Sequence, residues 1–284
     1  MRANNLPTRL SNMKKLLLTL ATMLVTTVAS AQPFDHAHAA FSTLLKKHVV
    51  VIDGGKATKV KYAEFKKEQP QLKAYLDTLS NVKETDFNGW TKPQQMAFLI
   101  NAYNGFTLEL ILQNYPTKSI KDIGGVFDNR WKRKFFKLLG QDAYLDKIEH
   151  EMLRKAGVYN EVRVHYAANC ASIGCPALRE EAYAADRLDK QLEEQAVRFL
   201  SDRSRNRYAN GKLEVSMIFN WFKEDWASGY KGIDGKTAPI TSREDYFARY
   251  AKLLADSPAD QQVITDKKAT LSHPEYDWSL NGAN

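Results

Sequence analysis

Cysteine is scarce in this sequence, with two residues among 284. A structural zinc site needs closely spaced Cys or His pairs and two further ligands, and no second cysteine pair exists to supply them. The separation of Cys170 and Cys175 also differs from the CxxC motif of thioredoxin-like oxidoreductases. Glycine-rich nucleotide-binding motifs are absent as well. The sequence therefore predicts no metal site and no cofactor.

Long hydrophobic runs are absent beyond the first 31 residues. Lys14 and Lys15 precede a short apolar run at 16–28, and Ala29-Ser30-Ala31 follows it, which is the pattern of a cleavable signal peptide. The run is shorter than the roughly 20 apolar residues that span a bilayer. We predict that residues 1–31 are removed near Ala31, and that the protein is periplasmic or secreted and not embedded in a membrane.

A strong excess of one charge is also lacking. The net charge of +8 falls to +4 without residues 1–31, because that segment contains four basic and no acidic residues. Acidic and basic residues alternate along the remaining chain, so we expect no nucleic-acid partner. The length favours one domain. We expect a lead-in at 32–58 and a single globular domain at 59–284.

Helical patterns predominate, which predicts an α+β fold: a single domain, mostly helical around a small, mainly antiparallel sheet. The clearest helix begins at Thr91, where Thr91-Lys92-Pro93-Gln94 forms a capping box. A second capping box, from Asp146 to Glu149, predicts a helix that ends at Gly157. The other predicted elements are helices at 62–79, 186–200, 216–226 and 242–254 (the last helix), strands at 162–168 and 212–215, and a hairpin at 133–145.

The residues that could carry chemistry centre on Cys170 and Cys175. Gly174 and small neighbours let the loop curl, so a disulfide across it is geometrically allowed. Closing so short a loop would stabilise the fold by only about 2 kcal/mol, so the bond would act locally. Alternatively, Cys170 is a reactive thiol whose pKa is lowered by a histidine or a helix N-terminus. Two inert buried thiols are the third alternative, and the sequence leaves all three open.

Three histidines are candidates to act on Cys170. His165 lies five residues upstream on the predicted strand, so the two side chains meet only if the chain turns at 169 or 170. His150 lies on the helix predicted from Asp146, and His273 lies near the C-terminus. For each of them, a structural role remains the alternative.

Two asparagines, Asn101 and Asn104, lie three residues apart on one face of the predicted Thr91 helix. Asparagine is unfavourable inside a helix unless its amide finds partners. These two either hold a neighbouring loop, or orient a histidine or bind substrate. Glu149 is assigned to the capping box, and Arg154 either binds helix carbonyls or reaches an anion.

The chain resembles the bacterial branch of a family catalogued as domain of unknown function 547. The matching segments are 97–104, 145–154, 165–176 (His-Tyr-Ala-Ala-Asn-Cys-Ala-Ser-Ile-Gly-Cys-Pro), 215–222 and 276–281. Gly105 and Gly174 depart from the family pattern, without touching a candidate functional group. The resemblance implies no reaction, but it implies that nine residues form one neighbourhood: Asn101, Asn104, Glu149, His150, Arg154, His165, Asn169, Cys170 and Cys175.

The favoured hypothesis is a thiol-dependent site with Cys170 as nucleophile, His165 or His150 as base, and Asn101 or Asn104 as the residue that orients the imidazole. The reaction would be acyl transfer or hydrolysis, or mixed-disulfide formation with a small thiol such as glutathione. The partner would be a small molecule or peptide, bound by Asn104, Glu149, Arg154, Asn169 and Cys175. The alternatives are a non-catalytic periplasmic binding protein with a structural disulfide, and an interaction module without a small-molecule site.

Overall fold

The longest helix, α5 (Lys92–Asn114), is buried on all sides. The structure is a computed structural model and describes residues 1, 33–125, 128–227, 229–231 and 238–283. The predicted capping box is confirmed, since the Thr91 hydroxyl accepts from the Gln94 amide and the Gln94 side chain accepts from the Thr91 amide. Every residue from Gln95 to Leu112 is buried. A helix enclosed in this way forms the centre of a core.

The remaining helices are short and surround α5 or build the C-terminal half. In the described residues they are α1 (Ala39–His48), α2 (Tyr62–Phe65), α3 (Gln69–Ser80), α4 (Glu84–Gly89), α6 (Val164–Ala167), α7 (Leu188–Leu200), α8 (Ile218–Trp221), α9 (Arg243–Arg249), α10 (Ala251–Leu254) and α11 (Pro258–Thr265). A π-helix spans Lys147–Leu153. No described helix is both long and apolar enough to cross a membrane.

Within the described ranges, the strands form three small sheets. They are β1 (Val49–Ile52), β2 (Ala57–Val60), β3 (Phe136–Leu138), β4 (Gln141–Ala143), β5 (Arg207–Ala209), β6 (Lys212–Glu214) and β7 (Thr270–Ser272). The pairs β1–β2, β3–β4 and β5–β6 are antiparallel, whereas β6–β7 is parallel. The predicted α+β class is therefore confirmed, with three separate sheets in place of one.

The predicted hairpin at 133–145 is present with shorter strands, β3 and β4. Leu139 and Gly140 connect them, and both have positive φ, +52° and +78°. Two positive φ values match the twist of tight antiparallel hairpins. The predicted strand at 212–215 corresponds to β6 and the predicted helix at 186–200 to α7, which a 3₁₀ turn precedes.

The predicted strand at 162–168 is wrong, because this segment forms the helical turn α6. Residues 161–167 are all buried, so their side chains carry no one-sided pattern from which a period could be read. His165 therefore lies on a helix and not on a strand.

The second predicted capping box is also wrong. Asp146 makes no side-chain cap hydrogen bond, and the helix that follows is the π-helix. Its wider turn is rare and frequently found at functional sites. Glu149 therefore does not have the helix-capping role that the sequence assigned to it.

Two predicted helices are divided. The helix at 62–79 is split by a 3₁₀ turn at Lys66–Glu68, because Pro70 starts α3 and cannot continue the hydrogen bonds of α2. The helix at 242–254 is split at Tyr250 into α9 and α10. It is not the last helix either, since α11 follows with Ser257 as its N-cap.

The segment expected as a lead-in folds into α1, β1 and β2. Phe41, Leu44 and Leu45 of α1 are at most 5% exposed and belong to the core around α5. The predicted signal peptide, 1–31, lies outside the described residues apart from Met1.

Two apolar clusters meet at α6. Val164, Ala167 and Ala171 belong to the cluster around α5, whereas Val162 and Tyr166 belong to a second cluster built by the C-terminal helices. The segment that carries both cysteines therefore leaves α6 at the seam between the two clusters.

Candidate functional site

The cysteine loop, residues 169–176, is held at both ends by one asparagine. Asn169 donates its side-chain amide to the Pro176 carbonyl at 2.8 Å and accepts from the Ala171 amide at 2.9 Å. Its own backbone amide donates to the Asn104 side chain at 2.8 Å. Ala171 has φ of +63°, a left-handed conformation that costs energy without glycine. The surrounding hydrogen bonds thus hold the loop in a tight, strained turn.

The C-terminal segment closes the loop from the other side. Ile173 donates to the Ser279 carbonyl and Gly174 to the Asp277 carbonyl, each at 2.8 Å. A Cβ atom on Gly174 would lie 2.9 Å from the Tyr276 ring. This close approach brings the Tyr276 hydroxyl to the cysteines. Gly174 therefore packs against a residue that the sequence did not single out, and a Cβ there would meet Tyr276 and the Asp277 carbonyl and none of the predicted site residues.

The two sulfur atoms lie next to each other and are not bonded. Their Sγ atoms are 2.8 Å apart, and the backbone amide of Cys170 donates to the Cys175 Sγ at 2.9 Å. The Cys170 Sγ is also 3.1 Å from the Ser172 hydroxyl and 3.3 Å from the Tyr276 hydroxyl. Three groups that can donate a hydrogen bond therefore surround the sulfur of Cys170, and the hydroxyls of Ser172 and Tyr276 also contact each other at 3.1 Å.

These contacts shift the pKa values of the two thiols in opposite directions. The hydrogen bond from Cys175, with those from Ser172 and Tyr276, lowers the pKa of Cys170 from 9.0 to about 7, although burial opposes this. Burial and the neighbouring charge on Cys170 raise the pKa of Cys175 well above its usual range. Cys170 is partly exposed, whereas Cys175 is buried. Since the thiolate is the nucleophilic form, these contacts favour Cys170 over Cys175 as the nucleophile.

Asp225 connects two of the predicted site residues, His165 and Arg154. Its carboxylate lies 2.7 Å from His165 Nε2 and accepts two hydrogen bonds from Arg154, at 2.6 and 3.1 Å. Burial raises the pKa of Asp225, but the bonds from His165 and Arg154 prevail and lower it to about 2. Arg154 also donates to His150 Nδ1 at 2.6 Å. The carboxylate thus fixes both the imidazole of His165 and the guanidinium of Arg154.

The His165 imidazole is enclosed by aromatic rings. It stacks on Phe222 and Trp226, with ring centroids 4.5 and 5.1 Å away. Burial among these rings lowers the pKa of His165, which the Asp225 carboxylate partly offsets. Aromatic stacking and the Asp225 contact therefore define the orientation of the ring.

Cys170 and His165 line the same cavity, which has a volume of about 250 Å³. The cavity is bordered by Cys175, two carboxylates, a second histidine and several aromatic rings. Its other lining residues are Tyr103, Trp131, Asp146, Glu149, His150, Ala168, Ile218, Trp221, Phe222, Tyr276 and Trp278. In the described part of the chain, no cluster of three His, Cys, Asp or Glu side chains could hold a metal ion.

The structure brings five of the predicted site residues to the cavity wall: Glu149, His150, His165, Cys170 and Cys175. Arg154 reaches the site through His150 and Asp225, and Asn169 shapes the loop. His273 instead contacts the Val215 carbonyl, at 2.9 Å.

The predicted role of Asn101 in orienting a histidine is wrong. Its side chain donates to the Tyr183 carbonyl and accepts from the Tyr183 amide, at 2.8 and 2.9 Å. Asn104 likewise donates to the Ala167 carbonyl at 2.9 Å and accepts from Asn169. Both amides thus bind backbone of neighbouring loops, which is the alternative that the sequence left open.

Three residues that contact the predicted site were missed: Asp225, Ser172 and Tyr276. Ser172 and Tyr276 lie in segments that carry the family resemblance, so their position was a usable signal. Asp225 lies outside those segments, and nothing in its local sequence connects it to His165.

The fold and the site define an α+β protein with a paired-thiol cavity. Residues 87–200 match the model of a family described as protein of unknown function, DUF547. The matched segment contains α5, the π-helix, α6 and the cysteine loop, and it confirms the resemblance there. Asp225 and Tyr276 lie beyond it. No curated protein and no solved structure matches the chain.

Proposed function

We propose that this is an exported protein whose Cys170 exchanges disulfides with a small thiol or disulfide, with Cys175 as the resolving thiol. One observation carries this proposal: three groups that can donate a hydrogen bond, one of them the Cys175 thiol, lie within 3.3 Å of the Cys170 sulfur. Such donors stabilise a thiolate, which is the attacking form in disulfide exchange.

The reaction begins when the Cys170 thiolate attacks one sulfur of a substrate disulfide. The substrate S–S bond breaks, its other half leaves as a thiolate that takes a proton from solvent, and a mixed disulfide forms at Cys170. Cys175 then loses its proton and attacks the Cys170 sulfur, which releases the second substrate thiol. The substrate is reduced to two thiols, and the protein dithiol is oxidised to a disulfide.

The local charges favour this order of events. The thiolate of Cys170 is one cause of the raised pKa of Cys175, after burial. That charge disappears when Cys170 enters a mixed disulfide, so the pKa of Cys175 should fall at the step in which it must react. With its sulfur 2.8 Å from that of Cys170, Cys175 needs little movement to attack.

Acyl transfer is a second candidate, favoured by the His165–Asp225 pair in the wall of the same cavity. A base must come within about 3 Å of the proton that it removes. Among the described residues, the polar contacts of the Cys170 sulfur come from Cys175, Ser172 and Tyr276, and His165 Nε2 faces Asp225. The geometry therefore supports disulfide exchange better.

The proposal is tested by mixing the reduced protein with bis(2-hydroxyethyl) disulfide without oxygen. We expect loss of both protein thiols and release of two small thiols for each protein. The Cys170→Ser variant is the control and should release almost none. If the native protein is unreactive, or if its sulfurs are bonded and become reducible only on unfolding, the alternative of a binding protein with a structural disulfide replaces this proposal.

A further inference from the structure

The cavity beside Cys170 contains more negative than positive groups. Asp146 and Glu149 contribute carboxylates to its wall, and the basic side chains among its described lining residues are the imidazoles of His150 and His165. The Asp146 carboxylate lies 3.7 Å from His150 Nε2, and Glu149 adds a second carboxylate. The basic residue nearest in the network, Arg154, is already bound to Asp225 by two hydrogen bonds. A negatively charged ligand would therefore meet like charges next to the sulfur.

Aromatic rings form a large part of the cavity wall, and one of them, Trp131, lies beside Asp146, whose backbone amide donates to the Trp131 carbonyl at 2.9 Å. Trp278 lies 5.7 Å from Trp221, 4.6 Å from Tyr276 and 5.8 Å from Trp131, measured between ring centroids. Aromatic faces carry a negative quadrupole and attract cations. Carboxylates and clustered aromatic rings in the wall of one cavity are a combination that suits an organic cation.

The cavity volume limits the size of the ligand. About 250 Å³ lies below the range of 300–1,000 Å³ that is typical of sites for drug-sized ligands. The site therefore suits a short chain that reaches Cys170.

We infer that the substrate is a small disulfide or thiol whose carbon chain carries an ammonium group, bound by the carboxylates of Asp146 and Glu149 and by the aromatic rings of the cavity. This inference rests on the proposed function and names its substrate class. This substrate class replaces glutathione, the small thiol that the sequence suggested, because glutathione carries two carboxylates for one ammonium group and is therefore an anion.

Besides Arg154, which lies 4.4 Å from the ring centroid of Phe222, two further cations near the cavity act in the opposite direction. Lys121 lies 5.0 Å from the ring centroid of Trp278, and Arg130 lies 5.3 Å from that of Trp131. Neither is among the described lining residues. If these cations dominated the field at the sulfur, anionic substrates would react faster, so the two possibilities make opposite predictions.

The experiment compares three disulfides of matched length with the reduced protein: cystamine (cationic), bis(2-hydroxyethyl) disulfide (neutral) and dithiodiglycolate (anionic). Each rate is divided by the rate of the same disulfide with free 2-mercaptoethanol under the same conditions. We expect cystamine to exceed the neutral compound roughly fivefold, with the anionic compound slowest, because a nearby charge pair is worth about 1 kcal/mol in water, which corresponds to a factor of about five. High salt should reduce the difference.

Glu149→Gln is the decisive variant, and Glu151→Gln is its matched control on the same π-helix. Glu151 is exposed and accepts from the Tyr144 hydroxyl, outside the cavity. Removing the Glu149 charge also affects the thiol of Cys170 itself, because that charge raises the pKa of Cys170. The ratio of cationic to neutral rates cancels this effect. It should fall severalfold in Glu149→Gln and remain unchanged in Glu151→Gln.

The outcomes separate the two proposals. Equal normalised rates, or a faster anionic compound, would overturn the substrate class and leave disulfide exchange intact. An equal loss of preference in both variants would assign the effect to overall charge and would also overturn it. If none of the three compounds reacts, the proposed function fails and the inference fails with it.

Discussion

Replacing Cys175 by alanine removes the largest contribution to the thiolate character of Cys170. The pKa of Cys170 is lowered from 9.0 to about 7, and the hydrogen bond from Cys175 is the principal cause. Two pKa units correspond to about 3 kcal/mol of preference for the thiolate. At pH 7, about half of the Cys170 side chains are then ionised, compared with about one in a hundred at the ordinary value.

Ser172 and Tyr276 remain as donors in Cys175→Ala, so only part of the shift should disappear. We expect the pKa of Cys170 to rise by at least about one unit. Cys175→Ser keeps a hydroxyl donor at the same position and should give an intermediate value. The order wild type, Cys175→Ser, Cys175→Ala therefore tests the hydrogen bond separately from the loss of the sulfur.

The assay is the rate of iodoacetamide alkylation of the reduced protein as a function of pH. In both Cys175 variants the only thiol is Cys170, so the titration is unambiguous. Cys170→Ser is the control and should alkylate slowly, since Cys175 is buried and its pKa is raised. A pKa near 9 in the wild type, or one that does not change in Cys175→Ala, would refute the reasoning.

Three further predictions concern the groups that support the site. Asp225→Asn should destabilise the protein by about 2 kcal/mol at pH 7, because the folded-state pKa of Asp225 is lowered to about 2. This contribution to the free energy of unfolding is fully present above the unfolded-state pKa near 4, and it is lost as the pH falls through 2. The free energies of unfolding of variant and wild type, measured by urea titration, should therefore converge at low pH. A difference that stays constant with pH would contradict this prediction. Asn104→Ala should lower the free energy of unfolding by about 2 kcal/mol in the same assay, because the Ala167 carbonyl and the Asn169 amide stay buried without that partner. The control Asn114→Ala changes an exposed residue and should have little effect. Equal effects of the two variants would contradict the role of Asn104 in holding the loop. Gly174→Ala would place a Cβ 2.9 Å from the Tyr276 ring, so it should lower the free energy of unfolding by about 1–3 kcal/mol. The displaced Tyr276 hydroxyl should also raise the pKa of Cys170 in the alkylation assay. An unchanged pKa would show that this hydroxyl does not act on the sulfur.

Local sequence signals were sufficient for parts of this fold. The start of α5 was predictable because Thr91 and Gln94 interact within one turn. The β3–β4 hairpin was predictable because Gly140 permits the positive φ of its turn. Both features depend on neighbours along the chain, which a single sequence displays directly.

Features that depend on burial were not predictable in this way. The segment of α6 is buried on all sides between two apolar clusters, so its pattern did not distinguish helix from strand. Asp146 and Glu149 matched a capping box, but a π-helix turns their side chains towards the cavity. In both cases tertiary packing overrode the local preference.

The sequence identified several residues of the candidate site, but it did not predict which residues contact one another there. The sequence singled out Cys170, Cys175 and His165 by residue type. The partner of His165 is Asp225, 60 residues away, and the hydroxyl near Cys170 belongs to Tyr276, 106 residues away. No periodicity or spacing relates residues at such separations.

The central claim is that Cys170 attacks and Cys175 resolves. The most direct measurement is the mass of each protein form after reaction with bis(2-hydroxyethyl) disulfide. We expect Cys175→Ser to accumulate a stable mixed disulfide at Cys170, whereas the wild type passes rapidly to an internal Cys170–Cys175 disulfide and Cys170→Ser remains unmodified. A mixed disulfide that accumulates at Cys175 in Cys170→Ser, with Cys175→Ser unreactive, would contradict the account.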